Sequence, residues 1–291
     1  MANIIETRNL HYHYSDGTCA LHGVNLAIPR HSKTAILGPN GAGKSTLFLH
    51  FNGLLQPSSG NLLYGSENIQ YDRTYLKKLR QRVGLVFQNP DIQLFSASVQ
   101  QDISFGLLNM GYSQEQTRLK VDAVGRKLGI QDLFKKPTHF LSTGQKKLIA
   151  LAGVLVMEPE LIICDEPTAG LDQSNARILI ELMDSLHQNG TSLVISTHDV
   201  NLAYSWASHI ILLNQGQVLA QGKPAQVLAD SNFLTTSSLE KPWILESWES
   251  LQKSGRIACD QPPPTTKEEY FSALSGQTDS ICLNKKVVTL F

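Results

Sequence analysis

The chain has 291 residues, enough for one large α/β domain with a small appendage, because single hydrophobic cores grow to about 250 residues before they split. Its 25 Lys and Arg residues balance 25 Asp and Glu residues, and this zero net charge argues against a nucleic-acid-binding protein. The longest strongly apolar stretch, residues 148–157, is much shorter than the ~20 residues that span a bilayer, which argues against a transmembrane helix.

The N-terminal region predicts antiparallel strands followed by a strand, a loop and a helix. Residues 4–28 alternate apolar and polar side chains around a Ser-Asp-Gly turn signal. Residues 34–37 predict a short buried strand, which leads into a glycine-rich loop. A helix is predicted from residue 44 to about residue 55, since its apolar side chains recur on one face.

The N-terminal residues and the cysteines indicate the cellular compartment. Glu6 and Arg8 lie where an export signal requires an uninterrupted apolar region, so we expect no export. The cysteines are widely spaced and form no CxxC pair, which favours four free thiols in a reducing cytoplasm. They are Cys19, Cys164, Cys259 and Cys282.

The middle of the chain changes from mixed to helical character. A short helix is predicted at residues 76–82 and an apolar strand at 83–87. From residue 88 onward no strand pattern occurs until after Pro159. We therefore predict a helical subdomain over residues 89–158, inserted in an α/β core, with helices at 99–108, 114–128 and 144–157.

After Pro159, buried strands and an amphipathic helix alternate again, which is typical of a parallel sheet. The predicted helix covers residues 175–188, and the predicted strands cover 161–164, 192–196, 210–213 and 218–220. From residue 230 the composition shifts to Ser, Thr and Pro, and three prolines at 262–264 separate two short helical stretches. We predict an α/β domain over residues 1–230 and a small C-terminal extension over 231–291.

The loop after the predicted strand at 34–37 fits the phosphate-binding pattern G-x-x-x-x-G-K-[ST]. Its glycines allow backbone N–H groups to converge on phosphate oxygens, and the following helix adds a favourable dipole. Lys44 is expected to bridge the β- and γ-phosphates, and the Ser45 hydroxyl to ligate Mg²⁺. A chance glycine turn is the alternative. The expected nucleotide contacts in this segment are Gly38, Pro39, Asn40, Gly41, Ala42, Gly43, Lys44, Ser45 and Thr46.

A second candidate group follows the apolar strand at 161–164, which ends in Asp165 and Glu166. Open α/β sheets bind ligands at the C-terminal ends of their strands. Asp165 is therefore expected to bind Mg²⁺, and Glu166 to orient or deprotonate an attacking water. A solubilising acidic pair is the alternative, and the upstream phosphate loop favours the functional interpretation.

At this point the chain resembles the ABC ATPase family. Residues 141–145, Leu-Ser-Thr-Gly-Gln, are similar to the family's signature motif LSGGQ, at the predicted start of a helix. Ser142 can cap that helix, and the free N–H groups after it can bind an anion. The resemblance implies that this segment contacts the γ-phosphate of ATP bound to the opposite subunit through Ser142, Thr143, Gly144 and Gln145. An ordinary helix cap is the alternative.

Four further residues match the family's motifs in the family's order. Tyr14 resembles the aromatic residue that stacks on adenine, and Gln88 resembles the Q-loop glutamine, which the family places near Mg²⁺. Asp172 closes a D-loop at residues 169–172, and His198 matches the switch histidine. Each also has a structural alternative: an exposed strand residue, a solvated strand end, a helix cap and a packed histidine respectively.

The resemblance covers residues 3–230 and implies a P-loop NTPase fold of the ABC cassette type. That fold has a RecA-like core, an antiparallel β subdomain and a helical subdomain. The resemblance also implies ATP and Mg²⁺ as cofactors, a head-to-tail dimer that sandwiches the nucleotides, and ATP hydrolysis coupled to transport. It assigns the catalytic roles to Lys44, Gln88, Glu166 and His198.

Two positions depart from the family pattern. Thr143 stands where glycine is usual, and a β-branched residue stiffens a loop that closes over phosphate. Leu148 stands where a basic residue is usual, which removes an anion contact. The departures leave open a reduced hydrolysis rate, or a scaffold subunit that binds ATP without hydrolysing it.

Within the family, the chain resembles the ATPases of energy-coupling-factor importers, and among those the cobalt-import type. The matching segments are residues 86–91, 93–95, 102–106, 144–147, 152–155, 241–243 and 265–274. This resemblance implies an identical or paired ATPase partner, a transmembrane coupling subunit and metal-specific membrane subunits. The chain would lie peripherally on the cytoplasmic face of the cell membrane.

Nickel or a vitamin is the alternative to cobalt, because no residue of this chain is expected to bind the imported solute. His11 and His13 lie two apart on a predicted strand, and we interpret them as edge residues since no third metal ligand is evident. A role in translation or DNA repair is a further alternative. Such proteins usually carry two cassettes or long insertions, which are not apparent here.

Overall fold

Two β-sheets organise the structure, a computed structural model that describes residues 2–284 and the side chains of residues 2–275. The strands in chain order are β1 (Asn3–His13), β2 (Cys19–Pro29), β3 (Lys33–Leu37), β4 (Ser59–Tyr64), β5 (Glu67–Asn68), β6 (Val83–Val86), β7 (Leu161–Cys164), β8 (Ser192–Thr197), β9 (His209–Asn214) and β10 (Gln217–Gly222).

The α-helices alternate with these strands in the core and follow one another elsewhere. They are α1 (Lys44–Phe51), α2 (Arg73–Arg82), α3 (Val99–Met110), α4 (Gln114–Leu128), α5 (Thr143–Leu155), α6 (Gln173–Gln188), α7 (Val200–Trp206), α8 (Pro224–Val227), α9 (Ser231–Thr236), α10 (Trp243–Lys253) and α11 (Lys267–Asn284). None of the helices within residues 2–284 is long and apolar enough to cross a membrane.

The central sheet has the strand order β10-β9-β3-β8-β7-β6. Strands β6, β7, β8, β3 and β9 are parallel, and β10 pairs antiparallel with β9 at the edge. The sheet therefore brings the C-terminal ends of β3, β7 and β8 side by side. Because the phosphate loop and both candidate carboxylates follow these strands, the topology directs them to one edge of the sheet.

The second sheet is antiparallel, with the order β2-β1-β4-β5, and confirms the antiparallel strands expected over residues 4–28. Strand β4 was not predicted. Its buried residues, 62–64, form a run of only three between glycines at 60 and 65, so the pattern is too short to indicate a strand. Pairing with β1, with Glu6 opposite Leu63, stabilises it through contacts distant in sequence.

Two helices that follow core strands, α1 and α7, differ from what the sequence predicts. The helix predicted from residue 44 to about 55 ends at Phe51, because Gly53 takes φ +68° and its N–H bonds to the His50 carbonyl. The seven-residue helix α7 was not predicted. The Asp199 carboxylate caps it by accepting from the N–H groups of Asn201 and Leu202.

The helical segment between β6 and β7 has its own apolar core. Helices α3, α4 and α5 contribute its fully buried residues, among them Val99, Ile103, Val121, Ile149 and Ala152. Ser113 and Ser142 form reciprocal capping boxes at the starts of α4 and α5. The start of α5, which carries the signature residues, is therefore held by local hydrogen bonds as well as by packing.

The C-terminal extension shares its core with the α/β domain. Trp248 of α10 is 1% exposed and packs in the same apolar cluster as residues of β7, β8 and β9. The Tyr204 hydroxyl on α7 donates to the Pro264 carbonyl at 3.1 Å. Residues 285–291 of the predicted extension and the Cys282 side chain lie outside the described residues. Cys19, Cys164 and Cys259 are free thiols, as predicted.

Candidate nucleotide site

The phosphate loop connects β3 to α1 and requires glycine for two reasons. A Cβ atom at Gly38 would lie 2.0 Å from the Leu213 carbonyl oxygen, so only glycine fits there. Gly41 and Gly43 have φ values of 79° and 101°, which other residues rarely adopt. Gly43 supplies no side-chain cap to α1, and the first N–H groups of this helix are left to bind an anion.

Lys44 folds over this loop. Its Nζ atom donates to the carbonyl oxygens of Gly38 at 2.7 Å and Pro39 at 3.0 Å. Burial lowers the pKa of Lys44, while the charges of Glu166 and Asp165 raise it. A cation thus lies at the base of the loop, beside two carboxylates.

The Asp165 carboxylate accepts hydrogen bonds from two hydroxyl groups on separate elements. The Ser45 hydroxyl on α1 donates to Oδ2, and the Ser196 hydroxyl on β8 donates to Oδ1, both at 2.5 Å. Carboxylate and hydroxyl oxygens are hard ligands of the kind that Mg²⁺ prefers. The donor set therefore fits the expected metal, which Ser45, Asp165 and the exposed Gln88 could hold at this cavity.

Glu166 has a left-handed backbone, with φ +46°, and a nearly buried side chain. Its N–H donates to the Ser196 hydroxyl at 2.8 Å, and its Oε1 atom lies 3.1 Å from His198 Nδ1. Ser196 therefore contacts both carboxylate residues. Ser196 was not identified from the sequence, because a serine inside a buried strand does not by itself indicate a functional site. The signal that the sequence offers for it is its position two residues before His198.

One cavity of about 410 Å³ brings together most predicted residues of the chain's own phosphate site, namely Tyr14, residues 40–46, Gln88, Asp165 and Glu166. Gly38, Pro39 and His198 are not among its lining residues. Tyr14 is 38% exposed, and its hydroxyl hydrogen-bonds the Thr46 hydroxyl at 2.8 Å. The exposed face of this ring is available for stacking on a base.

The signature residues do not line this cavity. Ser142 and Thr143 are exposed at the start of α5, where the Ser142 hydroxyl accepts from the Gln145 N–H and the Gln145 side chain accepts from the Ser142 N–H. Gly144 follows them on the same turn. This helix start therefore lies outside the chain's own nucleotide cavity.

Asp172 and the histidine pair also lie apart from the cavity. Asp172 caps α6, and the Asn175 backbone N–H and side-chain amide, both donating to it, lower the pKa of its carboxyl. His11 hydrogen-bonds Asn9 and packs edge-on against His22 at 5.3 Å between ring centroids. No group of three or more His, Cys, Asp or Glu residues in the described part of the chain is arranged to hold a metal ion.

Comparisons with known proteins agree with this geometry. A family model described as ABC transporter matches residues 21–169. The energy-coupling factor transporter ATP-binding protein EcfA of Methanococcus maripaludis is 44% identical over 254 residues, covering 87% of this chain and 91% of the relative.

Solved structures of ABC transporter components also match this chain. A cbiO1 structure from Clostridium perfringens, described as part of the ABC transporter complex cbiONQ, is 45% identical with a TM-score of 0.72, and the match covers 86% of this chain and 100% of that one. An ATP-binding cassette solved as a dimer in a post-hydrolysis state, with ADP and Pi bound, is 27% identical with a TM-score of 0.69. That match covers 76% of this chain and 98% of that one.

Proposed function

The chain belongs to the ABC transporter family of ATPases, and on that premise we propose that it is the ATP-hydrolysing subunit of an energy-coupling-factor importer. One observation carries the proposal. Loop residues 40–44, the Ser45–Asp165 pair and Glu166 line one cavity, His198 contacts Glu166, and all of them follow the C-terminal ends of three neighbouring strands.

Each residue of the cavity has a role that its contacts support. Lys44 and the loop N–H groups bind the β- and γ-phosphates, and Tyr14 stacks on adenine. Ser45, Asp165 and Gln88 hold Mg²⁺, which when bound would neutralise charge on the phosphates. Glu166 orients the attacking water and accepts its proton, while His198 holds the Glu166 carboxylate from 3.1 Å away.

A second subunit completes the site in this proposal. Ser142 and Thr143 of the signature segment are exposed, and none of residues 142–145 lines the chain's own cavity, which supports a position facing the γ-phosphate of ATP in a partner. Asp172 at the start of α6 would lie at the same interface. The partner is an identical copy or a paired ATPase, arranged head to tail. The similar cassette with ADP and Pi is itself a dimer.

This chain carries a groove that suits a membrane partner. A mostly apolar groove of about 650 Å³ separates α2 from α3 and is lined by Leu76, Phe105, Met110 and Met157, with Arg73 and Arg80 at its polar side. Phe105 is 45% exposed. The groove lies between the α/β core and the helical segment, and Gln88, which lines the nucleotide cavity, lies in the chain between α2 and α3. We assign it to the transmembrane coupling subunit, whose contacts hold the chain peripherally at the cytoplasmic face of the membrane.

Cobalt is the proposed solute, because of the resemblance to cobalt-import ATPases and the similarity to cbiO1. The test is accumulation of cobalt, nickel and a vitamin by source cells that carry either this chain or its Glu166→Gln variant. We expect the variant to lose cobalt uptake alone. Loss of nickel or vitamin uptake with cobalt uptake intact would keep the ATPase assignment and overturn the choice of cobalt. If uptake of all three were unchanged, the transport role itself would be wrong.

A further inference from the structure

Lys147 is a buried lysine in the first turns of α5, five residues after Ser142. It is 4% exposed, although lysine side chains are almost never fully buried unless they are paired. Its Nζ atom donates to the carbonyl oxygens of Glu166 at 3.0 Å and Pro167 at 2.8 Å. The ammonium group therefore holds the backbone that carries the water-orienting carboxylate.

The backbone of Glu166 needs such support. Its φ of +46° is uncommon for a residue other than glycine and persists only where surrounding contacts enforce it. The Ser196 hydroxyl holds the Glu166 N–H, and Lys147 together with the Ala169 N–H holds its carbonyl oxygen. These three contacts set the direction of the Glu166 side chain, and among them Lys147 is the one that comes from the signature helix.

The position of Lys147 depends in turn on α5, the helix whose first residues belong to the signature. On the proposed function, Glu166 acts on the chain's own ATP and the signature contacts the ATP of the partner. We propose that Lys147 is a positioning residue that couples the two nucleotide sites of the dimer, by moving Glu166 when the signature helix closes on the partner's nucleotide.

The surroundings of Lys147 agree with this role. Burial lowers the pKa of Lys147, and the nearby Cys164, Glu166 and Asp165 oppose this only in part. The neighbouring Lys146 instead pairs at the surface with Asp91, just after the Q-loop glutamine, at 2.7 Å. Of these two consecutive lysines on the signature helix, Lys146 pairs with the segment after Gln88, and only Lys147 contacts the Glu166 backbone.

The test compares Lys147→Met, which keeps length and loses both hydrogen bonds, with Lys147→Arg, which can donate to both carbonyls. The matched control is Lys120→Met, because Lys120 pairs with Glu158 on the helical segment away from the site. For Lys147→Met we expect unchanged ATP affinity and a kcat lower by about tenfold. The Hill coefficient for ATP should fall from about 2 towards 1. Lys147→Arg should recover most of both quantities.

A purely structural lysine would change the melting temperature without changing the Hill coefficient. Full kcat and cooperativity in a folded Lys147→Met protein would overturn the proposal, as would equal losses in Lys120→Met. If Lys147→Met did not fold, Lys147→Gln would serve, since its amide is one bond shorter and uncharged and should show the same split. Failure of the ATPase assignment on which this inference rests is distinguishable, because the unmodified protein would then not hydrolyse ATP.

Discussion

His198 Nδ1 lies 3.1 Å from Glu166 Oε1, although the two residues are 32 positions apart in the chain. The contact exists because β7 and β8 are adjacent and parallel, so that the residues following them meet. Glu166 is nearly buried, whereas the His198 side chain is 71% exposed. The pair combines a carboxylate with a group that can hold it in position.

Lys44→Ala should weaken ATP binding by at least about tenfold, because it removes the cation that the loop directs at the phosphates. Isothermal titration with ATP and Mg²⁺ measures the dissociation constant. Lys120→Ala, a change on α4 away from the cavity, is the control and should bind as the unmodified protein does. Equal affinities for Lys44→Ala and the control would contradict the role of the phosphate loop.

Tyr14→Ala and Tyr14→Phe separate stacking from hydrogen bonding. Loss of the ring should cost about 1–3 kcal/mol of ATP affinity, because base–aromatic stacking is worth that amount. Tyr14→Phe keeps the ring and loses only the hydroxyl contact with Thr46, so its affinity should stay within about fivefold of the unmodified value. A Phe variant as weak as the Ala variant would show that stacking is not the role of Tyr14.

Ser196→Ala should impair both stability and turnover. It leaves Asp165 Oδ1 without one donor and the buried Glu166 N–H without its acceptor. An unsatisfied buried group costs about 1–3 kcal/mol, which urea unfolding would detect, and we expect kcat to fall with it. Ser205→Ala, at an exposed position on α7, is the control. An unchanged free energy of unfolding and unchanged kcat in Ser196→Ala would contradict the assignment.

The free energy of unfolding should decrease as the pH falls below about 6.5, the ordinary pKa of histidine. Burial lowers the pKa of His50, and the Thr46 carbonyl near its Nδ1 partly opposes this. The unfolded chain then binds the proton more readily than the folded chain, so stability is full above pH 6.5 and is lost on acidification. His50 Nε2 is buried and has no hydrogen-bond partner among the described residues.

Urea unfolding between pH 7.5 and about 5 measures this effect. His50→Gln should show a shallower loss than the unmodified protein, although His209, whose pKa burial also lowers, keeps part of the dependence. The exposed His13 provides the control variant His13→Gln, which should follow the unmodified curve. Identical slopes for His50→Gln and the unmodified protein would contradict the argument.

The sequence predicted those parts of the fold that local patterns determine. Helix α4 has the predicted bounds, because a capping serine and a closing glycine mark its ends. The end of α1 and the existence of β4 could not be predicted in this way. The first depends on the backbone conformation of Gly53, and the second on pairing with β1.

The residues of the candidate site also fall into those that the sequence predicts and those that only the fold reveals. Motif residues such as Lys44 and Asp165 are recognisable because their spacing is constrained by phosphate and metal chemistry. Ser196 and Lys147 were not identified, since their contacts with Glu166 join separate elements and leave no short pattern in the sequence. Long-range hydrogen bonds of this kind become visible only when the fold is known.

The measurement that tests the central claim most directly is ATP turnover by the purified chain and by Glu166→Gln, with size-exclusion chromatography of both in ATP and Mg²⁺. The amide keeps the shape of Glu166 but cannot accept a proton from water. We predict that the unmodified chain hydrolyses ATP, whereas the variant binds ATP, elutes as a stable dimer and loses at least about 99% of turnover. Unchanged hydrolysis by Glu166→Gln would contradict the account.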